Sequence, residues 1–180
     1  MDSSEHIIDQ TKRWINDVIV GCNFCPFAGN VIKLNAVHYQ VDAGIFSTFS
    51  SDSFLDELIR LDREERIETS FLIYPNSFES FDAYLDMVAH AEGFLEDNDY
   101  EGIYQLASFH PSYQFANSPI DDAANYTNRS VYPMLHLLRE ASIDKVLEHY
   151  KNPEEIPNRN INFARNKGQV YMKMLRDTCL

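Results

Sequence analysis

Short apolar runs alternate with amphipathic stretches along the first two thirds of the chain, and this order most limits the folds open to it. The predicted strands, which are short runs of apolar or alternating residues, lie at 37–41, 69–74 and 102–109. The predicted helices, which carry apolar residues at helical spacing, lie at 5–20, 52–65, 78–96 and 130–149. The pattern predicts an α/β (α+β) fold in which a small sheet is covered by helices.

About three main strands are too few for a barrel. We therefore expect a ferredoxin-like two-layer sandwich as the first choice and a three-layer α/β sandwich as the second. The length of 180 residues fits a single domain over 1–180. The tail from about residue 151 is expected to wrap the surface. Trp14, on the apolar stripe of the first predicted helix, is expected to be buried.

Charge and cysteine content restrict the possible partners and the compartment. The net charge is −13, and nucleic-acid binding depends on basic patches, so nucleic acid is not an expected partner. Three cysteines do not form a secreted disulfide framework, which favours the reducing cytoplasm. The N-terminus has no signal-peptide pattern, and no apolar run reaches the roughly 18 residues of a membrane span, so no membrane association is expected.

The regular pattern stops after the third predicted strand. Residues 110–129 are rich in Pro, Asn, Ser and Asp, and irregular segments this long are usually functional or disordered. Aromatic side chains within the segment argue against disorder, so we look for chemistry between Ser108 and Glu140. His110 follows the carboxyl end of a strand, where open α/β sheets bind ligands. A loop histidine bonded to a backbone carbonyl is the structural alternative.

The predicted helix over 130–149 separates apolar from polar side chains. At 100° per residue, His136, Arg139 and Glu140 share the face opposite the apolar arc. His136 and Glu140 are four positions apart, so with His110 they could ligate a divalent metal or transfer protons. A solvent-facing ion cluster is the alternative interpretation.

Arg129 lies immediately before the predicted start of that helix. Free N–H groups at a helix start attract anions, and an adjacent guanidinium favours a phosphate or carboxylate site. Alternatively, Arg129 pairs with Asp121 or Asp122 and pins the loop. Asn125 and Asn128 fit either interpretation, because Asn stabilises turns as readily as it binds ligands.

Cys22 and Cys25 form a C-x-x-C pattern, which suggests zinc or redox chemistry. Thioredoxin-type motifs follow a strand and open a helix, whereas this one follows a predicted helix and runs into Pro26. A structural zinc site would need two further ligands, and the sequence has no second cysteine pair. Cys25 alone, activated by a nearby histidine, remains a candidate nucleophile.

Several strings resemble an uncharacterised bacterial family catalogued as domain of unknown function 1415, over nearly the whole chain. They are Cys25-Pro26-Phe27-Ala28, Glu68-Thr69, Ser108-Phe109-His110-Pro111, Gln114-Phe115-Ala116, the runs 125–130 and 132–140, Ile156-Pro157 and Arg159-Asn160. The resemblance implies a small bacterial cytoplasmic protein and brings no reaction with it. Cys22 stands where the family pattern has an aliphatic residue, which leaves Cys25 as the cysteine of interest.

The first functional hypothesis is an enzyme acting on a small anionic molecule, with or without a divalent metal as cofactor. The alternatives are a non-catalytic protein that binds a small molecule or peptide in the same cleft, a structural protein whose irregular loop pins the last helix onto the sheet, and a Cys25-dependent hydrolase or transferase. The catalytic candidates are His110, His136, Glu140 and Cys25. The ligand-binding candidates are Arg129, Arg139, Asn125, Asn128 and Glu68. We expect His110, Arg129, His136 and Glu140 to converge on one pocket at the carboxyl end of the sheet.

Overall fold

The computed structural model describes residues 3–180. The α-helices are α1 (Ser4–Trp14), α2 (Ala28–Lys33), α3 (Ser51–Arg63), α4 (Phe81–Asp97), α5 (Glu140–Leu147), α6 (Ile156–Lys167) and α7 (Gln169–Asp177). A π-helical segment (Ile15–Val20) continues α1, and 3-10 turns lie at Ala123–Thr127 and Pro153–Glu155. The strands are β1 (Val37–Val41), β2 (Thr69–Ile73), β3 (Tyr104–Phe109) and β4 (Met134–Arg139).

The four strands form one mixed sheet in the order β1-β2-β4-β3. β1 and β2 run parallel, joined by α3, while β4 is antiparallel to both of its neighbours. The predicted α+β class is confirmed. The three predicted strands are present, and β4 lies between β2 and β3 as a fourth.

Helices cover both faces of the sheet. On the first face, Phe71, Ile73 and Met134 pack against α1, the π-helical segment, α6 and α7. On the second face, Leu72 and Leu135 pack against α3 and α4. This is a three-layer arrangement, so the second of the two expected architectures is the one that the helices adopt.

The predicted helix over 130–149 is wrong in its first half, because residues 134–139 form β4. In a strand, successive side chains point to opposite faces, and here His136 lies on the first face while Leu135 and Leu137 lie on the second. Because helices cover both faces, both sets of side chains are mostly apolar. Such a continuous apolar run cannot be distinguished from a buried helix by its periodicity. Only residues 140–147 are helical, as α5.

The first helix, α1, and the last two, α6 and α7, pack on the first face of the sheet. Trp14 is fully buried at the end of α1, as expected from its stripe. The tail does more than wrap the surface, since Ala164, Met172 and Cys179 are buried in the same core as Trp14. Within the described part of the chain, no helix combines the length and apolar character that crossing a membrane requires.

Candidate functional site

A partly enclosed cavity of about 110 Å³ lies between the first face of the sheet and the N-terminal helices. We call it the inner cavity. Its lining residues come from α1, the π-helical segment, α2 and all four strands, and are almost all apolar. They are Trp14, Ile15, Ile19, Cys25, Phe27, Ala28, Val31, Ile32, Val37, Thr69, Phe71, Ala107, Phe109, His136 and Leu138.

Two of the lining side chains, His136 and Thr69, bring nitrogen or oxygen atoms to this apolar space. The His136 ring stacks on Phe71, its direct neighbour across the β2–β4 pair, with 3.8 Å between ring centroids. His136 Nε2 lies 2.5 Å from Thr69 Oγ1, and the Thr69 hydroxyl donates to the carbonyl of Leu137 at 2.6 Å. The hydroxyl proton is thus already used, so Thr69 Oγ1 accepts its second hydrogen bond from Nε2–H.

This arrangement determines the protonation of His136. Burial lowers the pKa of His136 from 6.5 to about 3, so the ring is neutral at physiological pH. With its proton on Nε2, the ring has an unprotonated Nδ1. Nδ1 has no hydrogen-bond partner among the described residues, and no fully buried side-chain nitrogen lacks one. Nδ1 therefore keeps some accessible surface, on a side chain that lines the inner cavity.

Cys25 lies at the edge of the inner cavity. The backbone amides of Phe27 and Ala28, at the start of α2, lie near its Sγ and favour the thiolate. Burial raises the pKa of the thiol more than these amides lower it, so the thiol is protonated at neutral pH. The preceding loop is held by α6, where the Asn160 amide donates to the carbonyl of Phe24 at 2.6 Å.

Cys25 also lines a second, more open space of about 260 Å³, which we call the outer pocket. Its lining comes from the π-helical segment, the loop after it, the region around the 3-10 turn Ala123–Thr127, and α6. The residues are Ile19, Phe24, Cys25, Phe109, Phe115, Thr127, Asn128, Pro157, Asn160 and Ile161. Ile19, Cys25 and Phe109 line both spaces, so they separate the inner cavity from the outer pocket.

The chain matches the model of the family described as Protein of unknown function (DUF1415) over residues 6–174. The chain belongs to this family. This match confirms the resemblance found from the sequence strings. No curated protein and no solved structure matches the chain.

The DUF1415 strings meet at the two spaces just described, although they are far apart in the chain. Cys25, Thr69, His136 and Asn128 come from four different strings and line the inner cavity, the outer pocket or both. The π-helical segment adds Ile15 and Ile19, and π-helical turns occur frequently at functional sites. Sequence inspection could not have found this segment, because its apolar spacing is also that of an ordinary α-helix.

His110 does not share a site with His136. Its side chain lies on the second face of the sheet, 4.8 Å from the Tyr84 ring, whereas His136 lies on the first face. His110 Nδ1 accepts from Ser112 N–H at 3.0 Å, so Nε2 carries the proton and donates to the carbonyl of Phe78 at 2.8 Å. The expected convergence on one pocket is therefore wrong. His110 is instead a loop histidine bonded to a backbone carbonyl, as the alternative interpretation expects.

Glu140 and Arg139 lie at the other end of the sheet from His110. β4 starts opposite Phe109 and ends opposite Tyr104, a distance of about 17 Å over six residues. Arg139 donates to the carbonyl of Ile67 at 2.9 Å and stabilises the loop before β2. The metal set of His110, His136 and Glu140 is thus not assembled, and no group of three or more His, Cys, Asp or Glu within residues 3–180 could hold a metal.

Glu68, close to Arg139, is also used structurally. Its carboxylate accepts the Ser142 hydroxyl at 2.5 Å, in the first turn of α5. Its carbonyl accepts the N–H of Arg139 at 3.4 Å, which continues the ladder between β2 and β4. Glu68 therefore joins α5 to the sheet and lines neither the inner cavity nor the outer pocket.

Arg129 and Asn125 hold the irregular loop together. The buried Arg129 guanidinium donates to the carbonyls of Tyr113 at 2.9 Å and Ile120 at 2.7 Å. It pins the loop as the alternative interpretation expects, but through carbonyls, because Asp122 pairs with Arg165 instead. Asn125 is fully buried and accepts the N–H of Phe115 at 3.0 Å.

Asn128 holds the loop against β3, since its amide donates to the carbonyl of Ser108 at 3.2 Å. It also lines the outer pocket. Asn128 and Cys25 are therefore the predicted residues that reach the outer pocket, and His136 and Cys25 are those that reach the inner cavity.

Sequence reasoning missed a polar cluster around the buried Glu57 on the second face of the sheet. The Glu57 carboxylate accepts the Ser70 hydroxyl at 2.5 Å, lies 2.8 Å from His38 Nδ1, and accepts Arg60 Nε at 3.1 Å. Burial alone would raise the pKa of Glu57, but these hydrogen bonds outweigh it and lower the pKa. The available signal was a carboxylate on the apolar stripe of α3, between Phe54 and Leu58.

We expect Glu57→Gln to lower the free energy of unfolding by about 1–3 kcal/mol. The Gln side chain has one oxygen fewer to accept hydrogen bonds, and its NH₂ group would face the donors that now bind the carboxylate. Chemical denaturation at neutral pH measures the change. Glu65→Gln, at an exposed position, is the matched control and should change stability by less than about 0.5 kcal/mol. Equal effects of the two substitutions would show that the hydrogen bonds of Glu57 do not add to the free energy of unfolding.

Proposed function

We propose that this chain binds a small neutral molecule, with an apolar group in the inner cavity and a hydroxyl that donates to His136 Nδ1. The observation that carries the proposal is a partly enclosed apolar cavity lined by the buried His136, whose Nδ1 has no hydrogen-bond partner among the described residues. Protein interiors are close-packed, so a cavity of this size is uncommon. A polar atom without a partner inside it favours a ligand that supplies one.

The size of the inner cavity limits the group that it accepts. An engineered cavity of about 150 Å³ binds benzene, which has six non-hydrogen atoms. A cavity of about 110 Å³ therefore suits about four or five non-hydrogen atoms. A larger molecule fits only if its remainder extends past Cys25 into the outer pocket.

Charge favours a neutral ligand over the anionic one suggested by the sequence. None of the described residues that line the inner cavity is Lys or Arg, and His136 is neutral. Arg129 and Arg139 are engaged with backbone carbonyls elsewhere. An anion moved into this apolar space would lose its hydration without gaining a partner of opposite charge.

We also infer that the protein works in the cytoplasm. Cys22, Cys25 and Cys179 are free thiols, and thiols stay reduced in that compartment. The acidic net charge of −13 is consistent with this location and argues against nucleic acid as a partner.

Titration with isobutanol and with isobutyrate, followed by methyl NMR, tests the proposal. Isobutanol is neutral and carries a hydroxyl, while isobutyrate has nearly the same shape and a negative charge. We expect isobutanol to shift the methyl resonances of Val31 and Leu138 saturably, and isobutyrate to leave them unchanged. Methyl groups of Leu58 and Leu61, on the second face, serve as internal controls.

His136→Leu removes the nitrogen that accepts the ligand hydroxyl. We expect it to weaken isobutanol binding about tenfold, because the loss of one hydrogen bond of about 1.4 kcal/mol changes the dissociation constant by that factor. Chemical denaturation of the variant verifies that it is folded. Saturable binding of isobutyrate, or isobutanol shifts on both faces of the sheet, would contradict the proposal.

A further inference from the structure

Cys25 lies between the two spaces, and this position suits a residue that reacts with a bound molecule. Its thiol borders both the inner cavity and the outer pocket, together with Ile19 and Phe109. A molecule that occupied both spaces would have to pass beside Sγ. The bond that joins its inner part to its outer part would then lie next to a nucleophilic atom.

We propose that Cys25 accepts a short hydroxyacyl group from a thioester whose carrier occupies the outer pocket. The inference rests on the proposed function, because the acyl chain takes the place of the neutral ligand in the inner cavity. A second, independent observation supports it besides the cysteine itself. His136, which lines the same cavity, is more than nine-tenths buried, and its Nδ1 has no hydrogen-bond partner among the described residues.

The dimensions of the two spaces define the substrate class. The inner cavity takes about four or five non-hydrogen atoms, which fits the chain of a hydroxybutyryl group whose carbonyl stays beside Cys25. The hydroxyl donates to Nδ1 of His136. The outer pocket is larger, about 260 Å³, and adds Thr127, Asn128 and Asn160 to apolar residues. It suits a carrier that contains amide groups.

The surroundings of Cys25 favour reaction with a bound substrate over reaction with reagents from solution. The backbone amides of Phe27 and Ala28 lie beside Sγ and stabilise the thiolate that forms when the proton leaves. Burial keeps the resting thiol protonated, so charged reagents in water meet a poor nucleophile. A thioester bound in the two spaces has its carbonyl carbon held next to Sγ, so the reaction no longer depends on a chance collision in solution.

The chemical step exchanges one thioester for another. Cys25 Sγ forms a bond to the carbonyl carbon, and the bond between that carbon and the carrier sulfur breaks. The proton lost from Sγ ends on the carrier sulfur, which leaves as a free thiol. No oxidant or reductant takes part, and the products are an acylated Cys25 and a free carrier.

The experiment incubates the full chain with the 3-hydroxybutyryl thioester of N-acetylcysteamine and follows the intact mass. We expect a gain of one hydroxybutyryl group, located on Cys25 by peptide mapping and removed by neutral hydroxylamine. The octanoyl thioester, whose chain exceeds the inner cavity, should react at least about tenfold more slowly. The butyryl thioester, without the hydroxyl, should react more slowly than the hydroxybutyryl one.

Cys25→Ala should lose the adduct. Cys22→Ser, at a cysteine that lines neither space, should keep both the adduct and isobutanol binding. Absence of the adduct in a wild-type chain that still binds isobutanol overturns the role of Cys25 and leaves the binding proposal standing. Equal acylation of Cys22 or Cys179 overturns it as well. If wild type neither binds isobutanol nor becomes acylated, both proposals fail.

Discussion

Replacing Trp14 with alanine should lower the free energy of unfolding by about 3–5 kcal/mol, the usual range for removing a buried Trp. Trp14 is fully buried, and its ring packs edge-on against Phe109 with 5.1 Å between centroids. Its Nε1 donates to the carbonyl of Arg129 at 3.1 Å. The substitution removes both contacts and leaves that carbonyl without its partner. It also enlarges the inner cavity, which Trp14 lines.

Chemical denaturation followed by circular dichroism measures the loss. Trp14→Phe keeps most of the apolar volume and should have a smaller effect than Trp14→Ala. Arg13→Ala, at the neighbouring exposed position, should change stability by less than about 0.5 kcal/mol. A loss below about 1 kcal/mol for Trp14→Ala would show that α1 contributes little to the core.

Acid should destabilise the protein through His136 as the pH falls from about 6.5 toward 3. The folded pKa of His136, about 3, lies below its ordinary value of 6.5 because the ring is buried. The unfolded chain therefore binds a proton over a pH range in which the folded chain does not. The stabilisation is fully present above pH 6.5 and is lost as the pH falls, by up to about 5 kcal/mol. Burial lowers the pKa of His110 too, which acts in the same direction.

Denaturation of wild type and His136→Gln at several pH values isolates this contribution from that of the carboxylates. Gln does not titrate, so the stability advantage of wild type over the variant should shrink between pH 6.5 and pH 3. Leu138→Val is the matched control, because it alters the same cavity without removing a titratable group. Its difference from wild type should not follow that pH dependence. A constant difference for His136→Gln would mean that His136 does not titrate as its burial requires.

Several elements could be predicted from the sequence because their signals are local. The stripe on α1 depends on the spacing of its apolar residues, and Trp14 is buried as that spacing requires. β1 and β2 were predictable because each apolar or alternating run is short and is followed by loop residues.

β4 and the candidate site could not be predicted, and one misassignment explains much of this. A helix over 130–149 would have placed His136, Arg139 and Glu140 on one face. In β4 and the start of α5, His136 instead points into the inner cavity and Arg139 to the second face, while Glu140 lies beyond the strand. The difference depends on both faces of β4 being covered by helices, which is a tertiary property.

The sequence by itself determined the α+β class, the family and the positions of the elements whose apolar residues face a single layer, because those patterns depend on neighbours within a few residues. Only the tertiary structure decided which polar residues meet. It places Cys25, Thr69 and His136 around one apolar cavity, and it places His110 on the opposite face. The physical reason is the strand period of two. Phe109 and His110 are adjacent in the chain, yet the sheet directs one side chain toward the inner cavity and the other away from it.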